Sequence, residues 1–266
     1  MSSTKSTQES SFKALFAAIV IPVALVVSWI IWKFVLGAAG NFDAEGHPTN
    51  TLGIVFQGGP IVPILICVNL LVLVFSIERF ITIAKAKGSS RVEPFIRNVK
   101  NLMNTNNFDA AIAECDKQKG SIAAVIKAGL GKYKYVEKDA TMDKESKIAA
   151  IQKELEEATS LELPMLSKNL VIISTCASIA TLIGLIGTVL GMITAFAALA
   201  QAGAPDATAL ANGISEALIN TALGITGSTI AIIMYNYFTT KIDTLTYGID
   251  EAGFSIVQTF NEKHKA

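Results

Sequence analysis

This sequence has little charge. Only 17% of its 266 residues are Asp, Glu, Lys or Arg, and the 22 basic and 22 acidic side chains cancel. A chain without net charge has no electrostatic footprint for nucleic acid, whose binding calls for a basic face. Histidine is scarcer still, at two residues, and the three cysteines, Cys67, Cys115 and Cys176, lie far apart with no Cys-x-x-Cys spacing. That pattern excludes a disulfide or metal framework, and the cysteines read as small buried or lipid-facing residues. No phosphate-binding glycine loop, nucleophile motif or histidine cluster is present. Enzymatic function, a metal and a cofactor therefore have no support.

What fills the chain instead is apolar: 51% of residues are hydrophobic and the mean hydropathy is +0.48. Those values belong to integral membrane proteins. The longest run without charge lies between Lys168 and Asp206 and covers 37 residues. At about 1.5 Å per residue it outspans a hydrocarbon layer of about 30 Å. Three more runs fit a spanning helix: Ala14 to Trp32, Ile61 to Ile77, and Asp206 to Lys241, the last interrupted only by Glu216. Trp29 and Trp32 suit interfacial anchors. A cleavable signal peptide is the rival reading of the first run, but its apolar stretch is longer than the usual ~7–15 residues, which favours a retained helix.

The expected organisation is an all-α integral membrane protein with four transmembrane helices and a helical cytoplasmic domain between helices two and three. In order, the segments are a cytoplasmic N-terminus (1–12), helix one (13–36), a polar periplasmic loop (37–57), helix two (58–78) and the cytoplasmic domain (79–168). Helix three (169–200), a periplasmic turn (201–207), helix four (208–240) and a cytoplasmic C-terminal helix (241–266) follow. The orientation rests on basic residues: Lys5 and Lys13 precede the first span and Arg79, Lys85, Lys87 and Arg91 follow the second, while the 201–207 turn has none. Residues 78–168 carry 16 Lys/Arg and 13 Asp/Glu. Apolar positions there recur at helical spacing, as in Phe108, Ala111, Ile112 and Cys115, then Ile122, Val125 and Ile126, then Ile148, Ile151 and Leu155.

Within the third span, TLIGLIGTVLGM (181–192) places Gly184, Gly187 and Gly191 among Thr181, Thr188 and Thr194. Glycines at this spacing form a small-residue seam at which membrane helices approach closely. The threonines either serve that packing or face a polar path. The fourth span repeats the pattern, with Glu216, Asn220, Gly224, Gly227, Ser228 and Ala231 along one face and Thr221 beside it. A short turn makes the two spans antiparallel neighbours. Thr188 and Thr221, equidistant from the turn, should then lie level, roughly 20 Å of helix from it. Neither hydroxyl can carry a proton unaided at neutral pH. Glu216, the one acid of this span, lies near the outer interface, with a structural role and a role in ion entry both open. If protons cross here, the titrating group must come from another protein.

TLIGLIGTVLGM (181–192), ISEALINTALGI (214–225) and MYNYF (234–238) resemble the signature of the MotA/TolQ/ExbB proton-channel family, closest to ExbB. The resemblance is strong over 168–245, looser over 60–167 and absent over the first ~50 residues, so the first span looks like an additional N-terminal helix. Leu190 stands where the family often has Trp, and Asn220 where Ala is usual; neither departure touches the two threonines. The resemblance implies a homo-oligomer, a pentamer, in the bacterial inner membrane around two copies of an ExbD-like single-span protein. That partner's membrane aspartate carries the protons and drives a TonB-like protein that spans the periplasm. By motif Thr188 and Thr221 match the pore threonines, Glu216 the glutamate of helix four, and Asn236 the polar residue near that helix's cytoplasmic side. Glu216, Asn220 and Asn236 are thus candidates for rim or subunit contacts, and Gly184, Gly187, Gly191 and Gly224 for helix packing. A TolQ-like envelope subunit and a gliding or flagellar stator are alternatives within the family. A secondary transporter is disfavoured by the lack of an inverted repeat and a midplane acid. A structural scaffold would use the glycines and threonines for packing alone.

The charge asymmetry makes a direct prediction. Cysteines introduced near His47 and Ala204 should react with an impermeant thiol reagent from outside, and cysteines near Lys117 only from inside. Protection of position 47 from the outside reagent would overturn the retained first helix.

Overall fold

A backbone placed in hydrocarbon has to satisfy its own hydrogen bonds, and this one does so as helix. The computed structural model describes residues 3–200 and 207–264, with side chains from residue 16 onward. The expected 201–207 turn therefore lies outside the described residues except for Ala207. Nine α-helices are described: α1 (Ser3–Ile30), α2 (Thr51–Phe56), α3 (Val62–Lys87), α4 (Val92–Asn104), α5 (Phe108–Gln118), α6 (Gly120–Lys138), α7 (Lys144–Ser167), α8 (Leu170–Leu199) and α9 (Ala207–Lys263). Extended pairing among the described residues is limited to one bridge between Phe42 and Pro48. Four helical stretches are long and apolar enough to cross a membrane: Phe16–Leu36, Gly59–Asn104, Lys144–Leu199 and Ala207–Lys263. The protein is an all-helical, multi-pass membrane protein. Segment 208–240 and the part of segment 241–266 up to Lys263, separate in the sequence reading, share the single 57-residue helix α9, since no proline interrupts them.

The chain forms two units, one of residues 1–77 and 169–235 and one of residues 78–168 and 236–266. In the first, residues 37–57 are more than a polar connection. Helix α1 runs into a π-helical turn, Ile31–Leu36, whose end leaves carbonyls in need of donors. Asn41, buried, donates its amide to the carbonyls of Val35 and Leu36, both at 2.8 Å. Its own side-chain oxygen accepts from the Asn50 amide at 2.9 Å, and Asn50 caps α2 by accepting from the Gly53 N–H at 3.0 Å. Trp32 stacks on Phe56 with centroids 4.8 Å apart, and Phe42 meets the same ring edge-on at 5.7 Å. Asp43 accepts the backbone N–H groups of His47 and Glu45 at 2.7 and 3.0 Å, which holds its carboxyl below the usual range. The outward side of α1 and of the turn that follows it stays apolar, with Val23, Leu25, Val26 and Trp29 exposed on α1 and Phe34 on the turn, as a lipid-facing helix requires.

The second unit is a conventional helical core. Of the periodic apolar positions, Phe108, Ala111, Cys115, Ile122, Val125, Ile126, Ile151 and Leu155 are buried, and Ile112 and Ile148 are half-buried. Residues Phe238, Ile242, Leu245, Ile249, Ile256 and Phe260 of α9 are buried in the same unit. Tyr133 centres an aromatic cluster, with its ring 4.3 Å from Phe108 and 4.9 Å from Phe260. Burial pushes the Cys115 thiol up to about 12, so it is a packing residue and not a reactive one. Arg79 is buried and ion-paired with its neighbour Glu78. It also donates to the carbonyls of Leu166 and Met165, at 3.0 and 3.3 Å, which end α7 without intrahelical partners. A cation at a helix C-terminus is favourably placed against the helix dipole.

Candidate functional site

The site is built on the contact between α8 and α9. Helix α8 buries Ala180, Gly184, Gly187, Gly191, Ala195 and Ala198, spaced three and four residues apart, so one helix face carries almost no side-chain bulk. Helix α9 buries Gly213, Ala217, Asn220, Gly224, Gly227, Ser228 and Ala231. The two backbones therefore touch. A Cβ on Gly224 would lie 2.6 Å from the carbonyl oxygen of Ala180 and 2.9 Å from the Cα of Gly184. One on Gly191 would lie 2.7 Å from the backbone nitrogen of Ala217, and one on Gly187 would lie 2.5 Å from the Cβ of Asn220. Only hydrogen fits at these positions.

That approach brings Thr188 and Thr221 together: their hydroxyls are hydrogen-bonded to each other. Thr188 also reaches the carbonyls of Gly184 at 3.1 Å and Ala217 at 3.4 Å. A hydroxyl has one proton and two lone pairs. When Thr188 donates to a carbonyl it accepts from Thr221; when it donates to Thr221, the Thr221 proton is released for a third group. The pair can thus turn from donor to acceptor without gaining or losing charge. Both residues are half-buried, at the edge of the glycine seam, while Leu182, Leu185, Ile186, Val189, Leu190 and Ile193 cover the outward side of α8.

Asn220 is fully buried, and its amide donates to the carbonyl of Gly58 at 2.9 Å, which ties α9 to the entry of the second span. That amide, expected at a rim or subunit contact, is directed into its own chain, because the missing side chain of Gly187 leaves the space it fills. Its side-chain oxygen has no partner among the described residues. Glu216 is half-buried over Gly59, where a Cβ would lie 2.5 Å from its Oε1; Gly59 has φ +75°, a conformation open to glycine at no cost. The carboxylate stands beside the 3₁₀ turn Gly59–Ile61 that leads into α3, a helix N-terminus that favours negative charge. Asn236 is exposed in the second unit, outside the constellation. Among the described residues no cluster of His, Cys, Asp or Glu could hold a metal ion.

The sequence reading passed over Gly58, Gly59 and Asn69. Asn69 donates to the carbonyl of Leu65 at 2.8 Å, and a Cβ on Gly227 would lie 2.9 Å from either polar atom of its amide. A lone amide in the Ile61–Ile77 run was the available signal, since buried polar groups inside a membrane are costly.

Residues 117–251, just over half of the chain, match the sequence model of the MotA/TolQ/ExbB proton channel family. The chain is 28% identical over 124 residues to the Tol-Pal system protein TolQ of Pseudomonas aeruginosa, covering 47% of this chain and 54% of that protein. It is 37% identical over 98 residues to TolQ of Haemophilus influenzae, covering 35% and 43%. It is also 40% identical over 81 residues to the biopolymer transport protein ExbB of Helicobacter pylori, covering 30% and 56%. The matched segments span about half the length of these relatives. TolQ and ExbB proteins match alike, so the comparison reaches the family and not the subtype.

The glycine seam predicts a contrast between two substitutions. Gly224→Ala forces a methyl group against backbone and should lower the melting temperature of the purified protein. Gly131→Ala, in α6 with nothing within 4 Å of the added carbon, should leave it unchanged or raise it through the roughly 0.5–1 kcal/mol by which alanine exceeds glycine in a helix. Equal shifts for the two variants would remove the seam as a close-contact surface.

Proposed function

Because the chain belongs to the MotA/TolQ/ExbB proton channel family, we propose that it is an ExbB-like subunit of a proton-driven motor in the bacterial inner membrane. The observation that carries the reading is the hydroxyl pair Thr188–Thr221, held level by backbone contact in a stretch of membrane helix with no side chain that titrates near neutral pH. A channel subunit of this kind lines a path and leaves the proton carrier to another chain. The carrier is an ExbD-like single-span protein with a membrane aspartate, surrounded by a pentamer of this chain, and the work is delivered to a TonB-like protein that spans the periplasm.

The chemistry follows from the pair's neutrality. A carboxylate in a low-dielectric pore is disfavoured unless something hydrogen-bonds to it, and its pKa rises accordingly. Threonine hydroxyls donate to the charged carboxylate, accept from the protonated one, and order water between, without adding a competing charge. Glu216, beside the entry of α3, suits the outer rim of the path. Asn236 suits the cytoplasmic side. Gly184, Gly187, Gly191 and Gly224 set the helix spacing on which the pair depends. A TolQ-like role in the envelope is the second reading, favoured by the TolQ proteins among the relatives.

Valine keeps the shape of threonine and removes the hydroxyl, so Thr188→Val and Thr221→Val separate chemistry from packing. Each variant should still assemble with its single-span partner, while proton flux through the reconstituted complex falls at least tenfold. Parental flux in both variants would reduce the threonines to packing residues.

A further inference from the structure

A hydroxyl in a membrane helix ordinarily satisfies itself by donating to the carbonyl four residues back. Thr175, Thr194, Thr226 and Thr229 do so, at 2.7, 3.1, 2.7 and 2.8 Å. Others of the same two helices do not, and five of these lie together. Ser174, Ser178 and Thr181 on α8 and Ser228 and Tyr235 on α9 make no hydrogen bond among the described residues, and all five line one groove of about 400 Å³. Ser228 is only 8% exposed, so its hydroxyl depends on whatever the groove contains. The four self-bonded threonines are thus outside the groove and these five unbonded hydroxyls line it, while Thr239, also unbonded, lies elsewhere on α9.

The groove is in register with the threonine pair. Thr181 precedes Thr188 by seven residues and Ser228 follows Thr221 by seven, two helical turns in each case, about 10 Å along each helix. In antiparallel helices both steps lead the same way, away from residues 201–206. Ser174 and Tyr235 extend the line by a further two turns or so, toward the start of α8 and the Lys168 and Lys241 side of the membrane. Five neutral hydroxyls in a space of this size offer donors and acceptors to water on both walls and carry no charge that would trap a proton.

We propose that this groove holds a file of water and is the inward half of the proton path, joining the Thr188–Thr221 pair to the cytoplasmic side. The proposal deepens the function set out above and rests on it for the direction of flow. The water file itself is open to an independent test.

Ser178→Cys and Ser228→Cys variants of the complex, in inverted membrane vesicles, are treated with a membrane-impermeant sulfonated methanethiosulfonate. Thr226→Cys and Thr229→Cys are the controls, and the parent's three cysteines, all buried, give the background. A thiol reacts as its thiolate, so one in hydrocarbon reacts slowly and one in water quickly. Ser178→Cys and Ser228→Cys should react at least tenfold faster than either control. Rates equal to the controls would mean a dry seam occupied by lipid or a partner helix, and would overturn the proposal. In a second arm, Thr181→Val combined with Ser228→Ala should cut proton flux several-fold with assembly intact. Fast labelling with parental flux would overturn the groove as part of the path and leave the threonine pair standing. Loss of flux here with parental flux in Thr188→Val would remove the threonine pair and keep the groove.

Discussion

Everything in the proposed site depends on two helix backbones touching. Side chains ordinarily hold packed helices 8–10 Å apart, and glycine at the crossing lets them come closer. Here Gly184 faces Gly224, Gly191 faces Gly213 and Ala217, and Gly187 faces Asn220, and the spaces left are too small for a methyl group. The approach fixes the depth of one helix against the other, and so the meeting of Thr188 with Thr221. It also creates the slot that Asn220 fills on its way to Gly58, which adds the second span to the same frame. A polar path built on contacts this close has little freedom to shift, which is what preorganised hydroxyls need.

Much of this was legible in the sequence, and the reasons differ by residue. The four spans followed from runs without charge, and the level placement of Thr188 and Thr221 from their equal distance to a short turn. The periodic positions from Phe108 to Leu155 gave the core of the second unit, with only Ile112 and Ile148 left half-buried. What escaped was set by partners distant in the chain. Asn220 is directed to a carbonyl 162 residues away, and no local pattern marks Gly58 as its acceptor. The connection over residues 37–57 reads as loop because Asn, Gly and Pro are turn residues. Its order comes from Asn41 answering carbonyls freed by a π-helical turn, which no propensity announces.

The neutrality of the site ties structure to assembly. Hydroxyls relay protons and tune a carboxyl group, but they do not hold a proton of their own at neutral pH. On the proposed reading, a chain with this equipment is one part of a conductor. Proton steps of this kind need a group whose pKa lies near the working pH, and burial among hydroxyls raises a carboxyl toward it. The first span, Phe16–Leu36, adds an exposed apolar side to that frame and carries a single basic residue, Lys33, near its end.

The division of labour between this chain and its partner is the central claim, and proton flux in liposomes tests it most directly. Vesicles holding this chain alone should keep an imposed pH gradient. Vesicles holding the chain with its single-span partner should dissipate it, and an Asp→Asn change in the partner's membrane segment should restore the gradient. Dissipation by this chain alone at the rate of the complex would contradict the account, because the proton carrier would then lie within the chain itself.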